Sequence, residues 1–261
     1  HKCWIPAAKT INQNNKKKEQ NNMSTNIEIT SNDIVPVLER SLAEGNRKPP
    51  LFLAPYGIGK SQNVAAFADK HHMHYVDYRV PYKTFNDVRG YGVPNRESGK
   101  MEFLMDEDFD FVEDKPNCVH FEELLNATQQ TQKPLMQAIL DRRIGKFRFP
   151  DDTFVAASSN RLKDKTGVER LLAALADRFS IYHIRPDLDG YLKWAEETHQ
   201  SPEVYAFIQS NPNAPYDFEI KSWDGESNFP TFRSFDRLEE LVRSYDDPRQ
   251  AAKDKLFKAH A

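Results

Sequence analysis

Three apolar residues, Leu51-Phe52-Leu53, run directly into Ala54-Pro55-Tyr56-Gly57-Ile58-Gly59-Lys60-Ser61, and Gln62–Lys70 continues as a helix-forming stretch. No other feature limits the fold as strongly. A short buried strand, a glycine turn and a helix, in that order, make a cradle for phosphate. Glycines let backbone N–H groups curl around an anion, and the helix aims its positive end at the same point. In such a loop Lys60 would reach the β- and γ-phosphates of ATP and Ser61 would ligate Mg²⁺. The expected ATP-binding residues are therefore Ala54, Pro55, Tyr56, Gly57, Ile58, Gly59, Lys60, Ser61 and Gln62. The segment fits G-x-x-x-x-G-K-[ST] except that Ala54 stands where the first glycine belongs, which stiffens the start of the loop. A chance Gly-x-Gly turn would account for the glycines, but not for the flanking strand, the helix and the Lys-Ser pair together.

The rest of the chain repeats the strand-then-helix rhythm. Ser31-Asn32-Asp33 can cap a helix with Ile34, Val37, Leu38 and Leu42 on its apolar face, stopped by Gly45 and Pro49-Pro50. Tyr75–Val80, Cys118–Phe121, Thr153–Ser158 and Ser180–Ile184 read as further strands, and Thr131–Asp141 and Leu171–Ala176 as helices. Residues 81–116 read as irregular, broken by Gly90, Gly92, Pro94, Gly99 and Pro116, with Lys100–Leu104 as one arm of a hairpin. Arg143–Phe149 begins a second hairpin. Alternating strands and helices predict an α/β fold, a parallel sheet with helices on both faces. After Pro186 the pattern turns helical, over Leu188–His199, Pro202–Gln209 and Ser234–Tyr245. The expected organisation is a tail at 1–25, a nucleotide-binding core at 26–185, and a small helical lid at 186–261. The lid is expected to be incomplete, because Pro248–Ala261 opens a charged helix at which the sequence stops. The tail is rich in Asn, Lys and Gln and is expected to be disordered. As Met23 is the first methionine, 1–22 is read as upstream or vector sequence.

Composition excludes some functions. A net charge of −3 in 261 residues gives no general polyanion-binding signature. Cys3 and Cys118 form neither a CxxC motif nor a disulfide framework. No apolar run long enough for a membrane span and no signal-peptide pattern is present, which suits a cytoplasmic protein. His71, His72 and His74 cluster without acidic or cysteine neighbours at metal-ligand spacing.

A phosphate loop needs a carboxylate at the end of a neighbouring strand. Val119-His120-Phe121-Glu122-Glu123 offers two: Glu122 in the metal position and Glu123 as the base that polarises the attacking water. His120 interrupts the apolar run, and Glu122 replaces the usual Asp. Two acids opening a solvated helix would look the same locally; the spacing after the phosphate loop favours function.

Together these residues resemble the AAA+ superfamily, and within it the MoxR-like ATPases, over roughly residues 30–245. Asp87-Val88-Arg89-Gly90, Phe121-Glu122-Glu123-Leu124 and Leu140-Asp141-Arg142-Arg143-Ile144-Gly145 follow in the family's order. Ala156–Arg161 is similar to sensor 1, which implies that Asn160 senses the γ-phosphate or holds the water; alone it could be a turn asparagine. Leu175-Ala176-Asp177-Arg178-Phe179 resembles the stretch carrying an arginine finger, which implies that Arg178 reaches a neighbouring subunit's ATP; alone it could be a surface ion pair. Phe229–Ser234 resembles sensor 2, with Arg233 at the start of a lid helix. Departures are Ala54, Glu122 and the extra residue in Leu124-Leu125-Asn126. The resemblance implies ATP hydrolysis with Mg²⁺, a homo-hexameric ring and chaperone-like remodelling of protein clients, one of them a von Willebrand factor A domain protein. It also implies that the hairpins at 94–105 and 143–153 face a pore or partner.

Two rival functions stay open at this stage. Arg142, Arg143, Lys146 and Arg148 form a basic hairpin that a nucleic-acid motor could use. Glu122 and Ala54 would also suit a nucleotide-gated switch with little turnover.

Overall fold

The structure, a computed structural model, describes residues 27–164, 169–198, 201–216 and 230–245. The expectations for the tail, for Pro248–Ala261 and for Phe229 fall outside these residues.

The elements run in the order β1 (Ile27–Thr30), α1 (Ile34–Ala43), β2 (Pro50–Ala54), α2 (Lys60–Lys70), β3 (His74–Arg79), α3 (Phe85–Arg89), β4 (Tyr91–Asn95), β5 (Lys100–Leu104), β6 (Asn117–Glu122), α4 (Gln129–Asp141), β7 (Arg143–Ile144), β8 (Phe147–Arg148), β9 (Phe154–Asn160), α5 (Ala173–Ala176), β10 (Ser180–Arg185), α6 (Leu188–Glu197), α7 (Pro202–Ser210) and α8 (Phe232–Arg243). Six strands form one sheet in the order β1-β10-β2-β9-β6-β3, and every neighbouring pair is parallel. The two hairpins, β4–β5 and β7–β8, stand apart from it.

Strand alternation divides the core between the two faces of the sheet. Leu51, Leu53, Val119, Phe121, Val155 and Ala157 pack with Leu135, Ala138 and Ile139 of α4. Phe52, Ala54, Cys118, Phe154 and Ala156 point the other way, toward Ile34 and Leu38 of α1 and Val64, Phe67 and Ala68 of α2. A third cluster, Tyr191, Val204, Ile208, Phe232, Phe235 and Val242, holds α6, α7 and α8 together.

Three sequence expectations need correction. Residues 81–116 are more ordered than their glycines and prolines suggest. Thr84 caps α3 with its hydroxyl on the Asp87 N–H, and Gly90, at φ +92, turns the chain into the β4–β5 hairpin. The strand β1 was not expected, since Ile-Glu-Ile-Thr is too short and half polar; it forms because the β10 edge is there to pair with. Arg142 does not belong to the basic hairpin. It caps α4 at φ +50 and folds inward, donating to Ile139 O (2.7 Å), Asn46 O (2.7 Å) and Asn46 Oδ1 (2.6 Å).

Asn46 is the centre of that contact. Buried after α1, it also accepts from Val155 N–H (2.8 Å) and donates to Val155 O (3.0 Å), so it ties α1, α4 and β9 together. Burial pulls the Arg142 guanidinium down to about 10, still charged at neutral pH. We expect Asn46→Ala to destabilise the fold by about 2 kcal/mol, because it takes the side-chain partner from the Val155 N–H and C=O and removes one of the three acceptors of Arg142. Urea denaturation should show a lower midpoint with an unchanged slope.

Candidate nucleotide site

Because the sheet is parallel, the carboxyl ends of β2, β9, β6 and β3 share one edge, where ligands of such sheets bind. Ala54 lies opposite Asn160 in the β2–β9 ladder, and Arg79 opposite Glu122 in the β3–β6 ladder. Residues distant in sequence are thus brought to one place by register alone.

The loop after β2 turns through Gly57 (φ +67) and Gly59 (φ +80). Gly59 is the N-cap of α2, which begins at Lys60, two residues earlier than the sequence reading placed it. Lys60 and Ser61 therefore sit in the first turn, where backbone N–H groups lack helical partners. Ala54 is the last residue of β2, fully buried and in extended ladder geometry, so its position does not call for glycine. Pro55, Tyr56 and Ile58 complete the turn, and Ile58 is buried in the α2-side core.

The Lys60 ammonium lies within the loop. Nζ donates to Pro55 O (3.0 Å), Asn160 Oδ1 (3.3 Å) and Ala54 O (3.5 Å). All three are neutral oxygens. Burial first, and the Arg233 charge second, push its pKa down to about 8, against the opposing pull of Glu123, Asp164 and Glu122. A cation so placed, with no counter-ion in contact among the described residues, favours an incoming anion.

Glu122 and Glu123 differ sharply. Glu122 is buried, with Oε1 3.6 Å from His120 Nδ1 and Oε2 3.7 Å from Arg79 Nε. His120 is fully buried and accepts or donates at Nδ1 to the Tyr75 hydroxyl (2.8 Å); burial pushes its pKa down to about 3, so it is neutral. Glu123 is exposed and left-handed at φ +54, an uncommon conformation for a residue with a Cβ. Asn126 Nδ2 donates to its Oε2 (3.2 Å), and the Asn126 N–H to its carbonyl (2.8 Å). The turn is held from β9 as well, since Ser159 Oγ accepts from the Leu125 N–H (3.0 Å). The extra residue after Glu123 is thereby absorbed in a 3-10 turn over Leu124–Asn126. Ser159 was inside the quoted sensor-like stretch but carried no sequence signal of its own.

Arg233 is the second residue of α8, inside the helix rather than before it. Its N–H donates to Gly57 O (3.3 Å), and Thr231 caps the helix beside the loop. A cavity of about 360 Å³ opens between these elements, lined by Asn32, Gly59, Gln62, Tyr191, Trp194 and Arg233 among others. Its size suits a nucleoside.

Arg178 stands apart. It lies two residues before Ser180, and Ser180 pairs with Pro50, the first residue of β2. It is therefore near the amino edge of the sheet, away from the Gly57–Ser61 loop. One guanidinium nitrogen donates to Ala174 O, and Nε is buried without a partner among the described residues.

The groups that could serve Mg²⁺ are the Ser61 hydroxyl and the Glu122 carboxylate. No cluster of three or more His, Cys, Asp or Glu that could hold a metal occurs among the described residues. This donor set fits Mg²⁺, which takes most of its ligands from phosphates and water with one or two protein oxygens. Among the described residues no helix is long and apolar enough to cross a membrane.

No protein-family model matches the sequence, and no curated protein matches it. Solved structures do. Two variants of RuvB from Thermotoga maritima superpose with TM-scores of 0.51 and 0.50, at 13% and 14% identity, covering 82% and 81% of this chain. A candidate ATPase from Cytophaga hutchinsonii superposes over 94% of this chain and 72% of its own at 16% identity, with a TM-score of 0.44, too loose to bear on the argument. The chain spans 62% of the length of each RuvB chain. At such identity the likeness concerns fold alone, and that fold, a six-stranded parallel sheet flanked by helices with the Gly57–Ser61 loop at its carboxyl edge, is the P-loop NTPase fold of the AAA+ type.

Proposed function

We propose that this chain binds ATP with Mg²⁺ in the cleft above Gly57–Ser61 and hydrolyses it. The observation that carries the reading is the convergence of Lys60, Asn160 and Arg233 on one glycine loop, with Glu123 exposed at a neighbouring strand end. The backbone N–H groups of the loop and the Lys60 ammonium bind the phosphates. The Asn160 amide and the Glu123 carboxylate orient a water for in-line attack on the γ-phosphorus, and Glu123 takes its proton. ADP leaves with the β–γ bridging oxygen. Ser61 and Glu122 would hold Mg²⁺, which supplies charge neutralisation at the β- and γ-phosphates.

Arg178 completes the site from a second copy. Near the opposite edge of the sheet it serves a neighbour's ATP, which makes a ring the natural assembly, and a MoxR-like homo-hexamer the specific form. On this reading residues 26–185 are the nucleotide-binding core and 186–261 the lid, and the protein works in the cytoplasm as a chaperone-like remodeller. A protein client, such as a von Willebrand factor A domain protein, is supported by the β4–β5 hairpin, which exposes Tyr91, Val93, Met101, Phe103 and Leu104. The nucleic-acid reading loses ground, because Arg142 is turned inward and Arg143 lies 3.6 Å from Asp141.

The test is phosphate release from Mg·ATP over a range of protein concentrations, with Arg178→Ala alongside. Specific activity is expected to rise with concentration, and Arg178→Ala to lower it about 10³-fold at unchanged ATP affinity. Mixing Arg178→Ala with Glu123→Gln should restore part of the activity, since some interfaces then hold both groups. Activity that is independent of concentration and of Arg178 would overturn hydrolysis at an interface.

A further inference from the structure

The phosphate loop is gripped by the helical segment at two adjacent carbonyls. The Tyr216 hydroxyl donates to Tyr56 O (2.9 Å), and the Arg233 N–H donates to Gly57 O (3.3 Å). In a trans peptide the C=O of one residue and the N–H of the next point in opposite directions. Holding the Tyr56 and Gly57 carbonyls toward the lid therefore turns the Gly57 and Ile58 N–H groups the opposite way and fixes the direction in which they point. Those are the donors that an anion in such a nest requires.

We propose that Tyr216 is a positioning residue for phosphate binding: with the Arg233 backbone it fixes the orientation of two loop peptides, so that the lid presets the anion cradle. This rests on the ATP-binding reading above and adds to it a role for the lid that does not pass through the Arg233 side chain.

Several independent observations bear on Tyr216. Its ring packs against both the α2-side core and the α6–α8 cluster, so it bridges the two bodies of side chains. It meets Phe232 edge-on at 5.2 Å, and its N–H donates to Pro230 O (2.9 Å), which locks it to the start of α8. It is held at φ +70, a conformation that a bulky residue adopts only when its surroundings impose it. Burial pushes the phenol pKa up, so the hydroxyl keeps its proton as a donor. The contact is also close. A Cβ added to Gly57 would lie 2.7 Å from Thr231 Oγ1, so only glycine lets the loop and the α8 cap approach this far.

Tyr216→Phe removes the hydroxyl and keeps the ring. Calorimetric titration of the full chain is expected to show affinity for ATP and for ADP reduced about fivefold each, the loss of one neutral hydrogen bond. Adenosine, which carries no phosphate, should bind as it does to the parent, and the melting temperature should stay within a few degrees. Equal affinities for ATP and ADP in variant and parent, or an equal loss for adenosine, would overturn the proposal. A parent that binds no ATP would overturn the functional reading and this inference with it. Amide exchange on the unaltered protein needs no variant. ADP should slow exchange at Gly57, Ile58 and the Tyr216 amide together, and protection of the two loop amides with the Tyr216 amide unchanged would count against the strut.

Discussion

Replacing Glu123 with Gln is expected to lower ATP turnover by about 10²- to 10⁴-fold while leaving ATP affinity nearly unchanged. The size follows from the role of a general base: the amide still fits and still accepts from Asn126, but it cannot take the proton of the attacking water. Geometry should survive, because the turn is held by backbone and by Ser159 rather than by the Glu123 charge. The left-handed backbone at φ +54 costs on the order of 1 kcal/mol in either variant, so it does not differ between them. Single-turnover phosphate release, with ATP affinity measured separately, checks this. Retention of more than about a tenth of the parent rate would mean that Glu123 is only an acid at a solvated turn.

Lys60→Met should have two opposite effects. ATP affinity is expected to fall roughly 10- to 100-fold, since a charged donor to phosphate is lost. The nucleotide-free protein, however, should become more stable at pH 7, by about 2 kcal/mol. The sign comes from the depressed pKa. Folding moves Lys60 from its ordinary value of 10.5 to about 8, mainly through burial. Between these values the unfolded chain holds the proton and the folded chain does not, so stability rises with pH across that window. At pH 7 the ammonium is charged in both states, and the folded protein bears the cost of burying it among neutral oxygens. Thermal melts without nucleotide should therefore show the variant above the parent at pH 7, with the gap narrowing above pH 8. A variant less stable than the parent at pH 7 would mean that the loop tolerates the charge without cost.

The local parts of this molecule are written in short stretches of sequence. Leu51–Ser61 specifies a strand, a two-glycine turn and a helix start, because each step depends on residues no more than a few positions away. The parallel sheet follows from the alternation of apolar strands with helical stretches. Errors at this level are small: α2 begins at Lys60 instead of Gln62, and β9 runs to Asn160 instead of Ser158. The family resemblance singled out Lys60 and Asn160 separately; their contact follows from the β2–β9 register, since Ala54 and Asn160 are ladder partners.

Tertiary structure alone decided the rest. The Ile27–Thr30 strand is too weak to stand without the β10 edge. Arg142 reads as one more cation in a basic hairpin until Asn46, far away in sequence, supplies the acceptors that draw it inward. The turn in which Asn126 meets Glu123 is also held from β9, by Ser159 on the Leu125 N–H, a partner that no local spacing announces. Tyr216 looks like any loop tyrosine, and its hydroxyl acquires a task only when packing brings it to Tyr56 O. Spacing rules describe neighbours along the chain, whereas partners for buried polar groups are set by register and packing between distant segments. For that reason the glycine loop after β2 is legible in the sequence, and its contacts with distant segments are not.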